Sequence, residues 1–282
     1  MTRPPALARA TVDRDAATRL SDPDLGASWE AARVLVVSDG RALVDGTALV
    51  LVGPEEAPEG DRLYLGRLDG VPFFAVAGEL PRRLGARPMG LRDVGAALDD
   101  RDAGLLVHAV ALANWHDTHV RCPRCGAPTV PVKGGSARRC PDDGTEHFPR
   151  TDPAVIMLVT DGADRCVLGR QAVWPAGRYS TLAGFVEPGE SAEQAVAREV
   201  VEETGLEVRD IRYRASQPWP FPASLMLGFT AVCDAAALPH ARDGELEDAR
   251  WFDRAELTAG GALLLPPPVS IARRLIDDWL QG

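Results

Sequence analysis

No stretch of about 18 uninterrupted apolar residues occurs in this chain of 282 residues, so no segment reads as crossing a membrane. A basic surplus is missing too. Lys and Arg number 31 against 41 Asp and Glu, a net charge of −10. That argues against a protein that holds nucleic acid through a broad basic surface, but not against a pocket that takes one nucleotide. Cysteine is sparse and odd in number, at five, with Cys122, Cys125 and Cys140 clustered. Such usage favours metal binding or reduced thiols over a disulfide framework. The opening MTRPPALARATVDRDAATRL has no apolar core of signal-peptide length, and it carries acids, so it reads as neither a secretory signal nor a transit peptide. These absences lead to the expectation of a cytoplasmic protein with no membrane partner. No internal repeat of fixed period is visible.

What is present divides the chain into three parts: 1–120, 121–149 and 150–282. Residues 1–30 are polar and Pro/Ala-rich, and are expected to be loosely ordered. RVLVVSDG, ALVDGTALVLV, RLYLGRL and VPFFAVAG, between Arg33 and Gly78, read as strands of a small antiparallel sheet. Helical spacing follows at about Leu91–Leu98 and Gly104–Asn114. Cys122 to His147 has no apolar periodicity and needs something other than a core to hold it. After Pro153, AVIMLVT and CVLG read as buried strands, STLAGFVEPGE as a strand end and loop, EVRDIRYRA and SLMLGFTAVCD as further strands, and LEDARWFD as an edge strand. PPPVSIARRLIDDWL is a proline stop before an amphipathic helix. Strands mixed with helices point to an α/β (α+β) fold.

Within GFVEPGESAEQAVAREVVEETGL, Gly184 to Leu206, Ser191 and Gln194 match a capping box and Gly205 suits a helix end, giving a helix over about 192–203. Glu199, Glu202 and Glu203 then share one face at i, i+3 and i+4. They repel one another, and they lie near the helix C-terminus, where the macrodipole disfavours anions. Local rules broken together tend to mark functional sites. A divalent cation would turn the repulsion into binding, Glu190 could close the site, and Arg198 could pin a carboxylate by a bidentate pair.

The same stretch resembles the Nudix box, G-x5-E-x7-R-E-U-x-E-E-x-G-U, at every defined position. The resemblance implies a Nudix α/β/α sandwich and a hydrolase of nucleoside diphosphate derivatives that uses Mg²⁺ or Mn²⁺. It implies Glu199, Glu202 and Glu203 as metal ligands, with Glu203 a candidate for activating the water. Division of metal and base roles among the glutamates stays open. Glu245 resembles a further acid near the metals, with Glu247 and Asp248 as rivals.

Downstream, SQPWPFPASLM, Ser216 to Met226, packs three prolines into five residues. That composition cannot be the centre of a strand and makes a stiff loop, whose Trp219 and Phe221 suit stacking on a planar ring. Together with HFPRTDPAVI, LLPPPVSIARRLI and the cysteine module, it is similar to the NADH pyrophosphatase subfamily over about residues 90–282. The resemblance implies cleavage of NAD(H) to nicotinamide mononucleotide and AMP, removal of NAD caps from RNA 5′ ends, and a homodimer. Substrate contacts implied by it are Gln217, Pro218, Trp219, Pro220, Phe221, Pro222, Ala223, Ser224 and Met226, together with Arg92, Phe148, Ala183, Phe185 and Ala272. The alternatives are another dinucleotide or nucleoside diphosphate derivative, such as ADP-ribose, or a non-catalytic nucleotide-binding regulator.

The cysteine module resembles a zinc ribbon in which Cys122-Pro-Arg-Cys125 is one knuckle and Cys140-Pro-Asp-Asp143 replaces the other. Asp143 occupies the place of the fourth cysteine, His147 is the rival fourth ligand, and a degenerate ribbon without metal is the remaining alternative. The zinc would be structural, since protein fills all four positions. Cys166 and Cys233 read as small buried hydrophobes, and His116 and His119 as packing or surface residues.

Overall fold

The computed structural model describes residues 4–242 and 244–282. They form two compact units. One holds Leu7–Thr151 with Trp219–Ala223, and the other holds residues 4–6, Asp152–Pro218 and Ser224–Gly282.

In the first unit, α1 (Ala16–Arg19) and α2 (Asp22–Glu30) precede β1 (Arg33–Ser38), β2 (Arg41–Asp45), β3 (Ala48–Leu49), β4 (Leu51–Val52), β5 (Leu63–Leu68), β6 (Val71–Ala77) and β7 (Arg87–Gly90). The expectation of a loosely ordered start is corrected for the described residues; 1–3 lie outside them. Ser21 caps α2, Asp15 caps α1 and accepts a hydrogen bond of 2.7 Å from the Tyr64 hydroxyl, and Leu7 and Trp29 are buried. These two aromatic and aliphatic anchors offset the entropy of ordering a polar segment.

The sheet runs β3-β2-β1-β6-β5, with β4 on β1 and β7 on β2. It is mixed, not purely antiparallel, because β1 pairs with β6 in parallel. Val34–Val37 and Phe73–Val76 are buried without alternation, the signature of central strands covered on both faces. Trp29 packs with Val34, Val36, Tyr64 and Phe74. α3 (Leu91–Val94) and α4 (Asp100–Thr118) follow. α4 starts at Asp99, whose carboxylate accepts from the Asp102 N–H at 2.8 Å, and it packs on β1, β5 and β6. A separate three-stranded sheet, β8 (Val130–Val132), β9 (Ala137–Arg139) and β10 (Glu146–His147), carries the cysteine segment.

The second unit contains β11 (Asp152–Thr160), β12 (Arg165–Arg170), β13 (Leu182–Phe185), α5 (Ala192–Thr204), β14 (Val208–Trp219), β15 (Ser224–Cys233), β16 (Asp248–Asp253), α6 (Arg254–Thr258) and α7 (Ile271–Gln281). The sheet order is β14-β15-β11-β12-β16, with β13 on β11. β11 shows why two helical layers form. Its side chains alternate between faces: Val155, Met157 and Val159 join the core that includes Ala195, Val196 and Val200 of α5, while Ile156 and Leu158 join Ile271, Leu275 and Ile276 of α7. The result is the α/β/α sandwich. Cys166 and Cys233 are buried in it, as small hydrophobes.

The proline-rich stretch differs from expectation. β14 runs through Pro218 to Trp219 and β15 begins at Ser224, which leaves Pro220–Ala223 as the connection. β14 lies at the edge of its sheet, where a missing N–H need not break a ladder.

Candidate functional site

The acidic helix is fixed at both ends by local chemistry. The Ser191 hydroxyl accepts from the Gln194 N–H at 3.2 Å, and the Gln194 side chain accepts from the Ser191 N–H at 2.8 Å. Gly205 closes the helix with a φ of 74°, a conformation that side chains resist. Arg198 organises the face between these ends. Its Nε and Nη2 donate to the two carboxylate oxygens of Glu190, both at 2.9 Å. Nη1 donates to Glu199 at 2.8 Å and to Glu202 at 2.9 Å, and Nη2 also reaches the Phe185 carbonyl at 2.9 Å. All five guanidinium donors are thereby used.

The electrostatics follow from this arrangement. The Arg198 guanidinium holds the Glu190 carboxyl below its ordinary value, and Glu190 in turn raises Arg198 above its own. Burial pushes the Glu199 carboxyl up, helped by the negative charges of Glu202 and Glu245, against the pull of Arg198. Glu203 is only 4% exposed, whereas the Glu202 side chain is 50% exposed. Three carboxylates around Arg198 thus differ in kind: Glu190, in the loop ahead of the helix, is held below its ordinary value, Glu199 is raised by burial, and Glu202 is half exposed.

Glu245 is exposed, and its field reaches Glu199. Its rivals are committed elsewhere, Glu247 in an ion pair with Arg170 and Asp248 as acceptor from the Tyr179 hydroxyl. Oxygen donors of this type suit a hard divalent cation. In the structure Glu199 and Glu202 turn to Arg198, and the α5 carboxylates are not drawn into one tight set.

The tight set is elsewhere. Among the described residues, donor atoms of Cys122, Cys125, Cys140 and Asp143 all lie within 4.8 Å of one another. Two knuckles of the same form hold them. The Gly126 N–H donates to the Cys122 carbonyl at 2.8 Å, and the Gly144 N–H to the Cys140 carbonyl at 3.0 Å. The Thr145 N–H donates to Asp143 Oδ1 at 2.8 Å, and bonds from Thr145 bring the Asp143 carboxyl down to about 2. Tetrahedral zinc with thiolate bonds near 2.3 Å sets its ligand atoms about 3.8 Å apart, so three thiols and one carboxylate of this spacing fit zinc. His147 is not in the set. His116 and His119 are packing residues: His116 bonds the Gly135 carbonyl at 2.7 Å and Arg138 at 2.8 Å, and His119 stacks on Trp115.

In the first unit, the turn after β14 meets Arg92. The Arg92 guanidinium carbon lies 4.4 Å from the Phe221 ring centre and 5.7 Å from that of Trp219, and the two rings meet edge to face at 4.9 Å. Arg92, Phe221 and Asn114, with Asp39, Arg41 and Asp93, help to line a pocket of about 450 Å³.

Family comparisons divide the chain in the same order as its sequence. The NADH pyrophosphatase-like rudimentary NUDIX domain matches residues 30–115, the NADH pyrophosphatase zinc ribbon domain 117–148, and the NUDIX domain 150–278. Proteins called NAD-capped RNA hydrolase NudC are similar over nearly the whole length. That of Mycobacterium bovis (strain BCG / Pasteur 1173P2) is 43% identical, covering 98% of this chain and 94% of the relative. That of Stutzerimonas stutzeri is 40% identical, covering 93% and 92%.

The chain belongs to the NADH pyrophosphatase family of Nudix hydrolases.

For this Nudix chain, the residues singled out in sequence fall into three groups. Glu190, Glu199, Glu202 and the Phe185 carbonyl meet at Arg198 in the second unit, and Glu203 is buried on the same helix; the Phe185 ring is 60% exposed, and Ala183 pairs with Ile156 on β11. Arg92 and Trp219–Ala223 come together in the first unit, where Phe148 is also 64% exposed, with the Lys133 ammonium 5.7 Å from its ring centre. The third group is inside. Gln217 is wholly buried; its amide donates to the Val269 carbonyl and accepts from the Ile271 N–H, both at 2.8 Å. It clamps β14 to the start of α7, with one bond from each half of the amide. Ala272 is buried in the α7 core beside half-buried Met226, while Ser224 and Pro218 lie half-buried at strand ends.

Two features escaped sequence reasoning. One is the close approach of Gly184 to Glu199; the fixed glycine at the head of the box was the signal. The other is Asn114, a lone amide in the apolar run LLVHAVALANW of α4.

The zinc assignment has a direct test. Asp143→Ala is expected to lower the zinc content of purified protein well below one equivalent, and His147→Ala to leave it unchanged. Metal analysis by mass spectrometry reads both.

Proposed function

We propose that this protein hydrolyses the pyrophosphate of NAD(H) to nicotinamide mononucleotide and AMP, and removes NAD caps from RNA 5′ ends. The oxygen of water joins one phosphorus as the P–O–P bridge breaks, so each product leaves as a phosphate monoester. The carrying observation is the Arg198-centred carboxylate face of α5, set in a chain similar from end to end to NAD-capped RNA hydrolases. Glu199, Glu202, Glu203 and Glu245 would hold magnesium or manganese. When bound, the metal neutralises the pyrophosphate and lowers the pKa of a water. Glu203, buried at the end of α5, is the group assigned to take the proton of that water.

Arg198 carries no chemistry in this reading. It fixes Glu190, Glu199 and Glu202 in place and offsets their repulsion. In the first unit Arg92, Trp219 and Phe221 offer a cation and flat rings, which suit an anionic nucleotide. Phe185 and Phe148 are the exposed aromatics assigned to further base contacts. We extend the reading to a cytoplasmic homodimer with a structural zinc and boundaries at 1–120, 121–149 and 150–282. Family resemblance supports the dimer and the compartment, and light scattering tests the former.

The expected result is release of nicotinamide mononucleotide and AMP from NADH in the presence of Mg²⁺ or Mn²⁺, read by chromatography. No product with either metal would overturn the proposal. Parallel kinetics on NADH, NAD⁺ and NAD-capped RNA rank the substrates.

A further inference from the structure

The connection from β14 to β15 is poor in donors. Pro220 and Pro222 carry no N–H, and the one internal bond of the turn runs from the Phe221 N–H to the Trp219 carbonyl at 2.7 Å. The carbonyls of Pro220 and Pro222 therefore look outward for a partner. Both find the same one. Asn114 Nδ2 donates to the Pro220 carbonyl at 3.1 Å and to the Pro222 carbonyl at 3.4 Å. An amide NH₂ has two hydrogens, so this single group serves the carbonyls on either side of Phe221.

Asn114 is itself held firmly. It sits in the last turn and a half of α4, a helix of 19 residues. Trp115 next to it and Val110 one turn earlier are buried, and Val110 lines the same pocket. From the other side, the Arg92 guanidinium lies 4.4 Å from the Phe221 ring centre. Phe221 is thus gripped at its backbone by Asn114 and at its ring by Arg92.

We propose that Asn114 is a positioning residue for substrate binding. It holds the turn Pro220–Pro222 so that the Phe221 and Trp219 rings are presented in one orientation. The inference rests on the reading of that turn as a substrate contact. Asn114 touches no reacting atom, so its loss acts on substrate affinity and not on bond breaking. Pre-ordering the rings removes an entropic cost that a free turn would bear on each binding event.

Asn114→Asp keeps the shape and removes both hydrogens, placing oxygen against two carbonyl oxygens. Asn114→Ala removes the group without that repulsion. For the purified full-length protein with NADH and Mn²⁺, both variants are expected to raise KM about tenfold, the order of the cost of immobilising one or two side chains on binding, with kcat within twofold of wild type. Asn114→Asp is expected to exceed Asn114→Ala in this effect. Tm by circular dichroism should fall by no more than a few degrees, the scale of two lost hydrogen bonds.

Phe221→Ala separates the two levels of the argument. If Phe221→Ala leaves KM unchanged, the turn is not a substrate contact and the reading beneath the inference fails. If Phe221→Ala raises KM while neither Asn114 variant does, the positioning role fails alone. A fall in kcat with KM unchanged in the Asn114 variants would also overturn it.

Discussion

Glu203→Gln is expected to lower kcat on NADH by about 10²–10⁴-fold, the usual range for loss of a positioned proton acceptor, with the fold kept. The substitution is isosteric, and the amide replaces a carboxylate in the last turn of α5 at a place only 4% exposed. Its place on the helix face shared with Glu199, one turn back, argues for a use that a neutral amide cannot serve. Glu202 provides the comparison. Its side chain is half exposed and bonded to Arg198 at 2.9 Å, so Glu202→Gln should cost less in kcat than Glu203→Gln. Steady-state rates with saturating Mn²⁺, alongside thermal melts, read both. Wild-type turnover in Glu203→Gln would remove this residue from the catalytic assignment.

The acidic helix was legible because its rules are local. Ser191 and Gln194 cap one end, Gly205 ends the other, and helical spacing alone puts Glu199, Glu202 and Glu203 on one face. The bidentate partner of Arg198 proved to be Glu190, eight residues back and within the same motif. What stayed hidden depends on pairings distant in sequence. Nothing local says that β1 lies parallel to β6, since register is decided by burial on both faces and not by turn residues. The three prolines of 218–222 argued for a loop, and the argument held only for a central strand; β14 is an edge. Gln217 looks in sequence like its neighbours, yet its partners Val269 and Ile271 are about fifty residues away. Trp29 and Tyr64 turned an apparently loose N-terminal segment into part of a core through contacts that no window of sequence contains.

Gly184→Ala should cost about a hundredfold in kcat, the scale on which a displacement near 1 Å is felt at a reacting centre. A Cβ at 184 would lie 1.9 Å from Cδ of Glu199, far inside the 3.5–4.0 Å or so of a carbon contact. Something must move. The backbone at 184 is in register with Val155 of β11, whose neighbours are buried on both faces of the sheet, so β13 gives little ground. The Glu199 carboxylate is the movable partner, and it is tied to Arg198 at 2.8 Å. Its displacement drags on the guanidinium that also holds Glu190 and Glu202, so one methyl disturbs the whole carboxylate face. Stability should change little by comparison, because Gly184 is not among the left-handed glycines and an alanine there meets no backbone strain. Gly26→Ala is the control: its added methyl meets nothing within 4 Å, and in the interior of α2 alanine is the better helix former. That variant should keep wild-type turnover and melt no lower than wild type. Full turnover in Gly184→Ala would mean that the position of Glu199 is not what the reaction depends on.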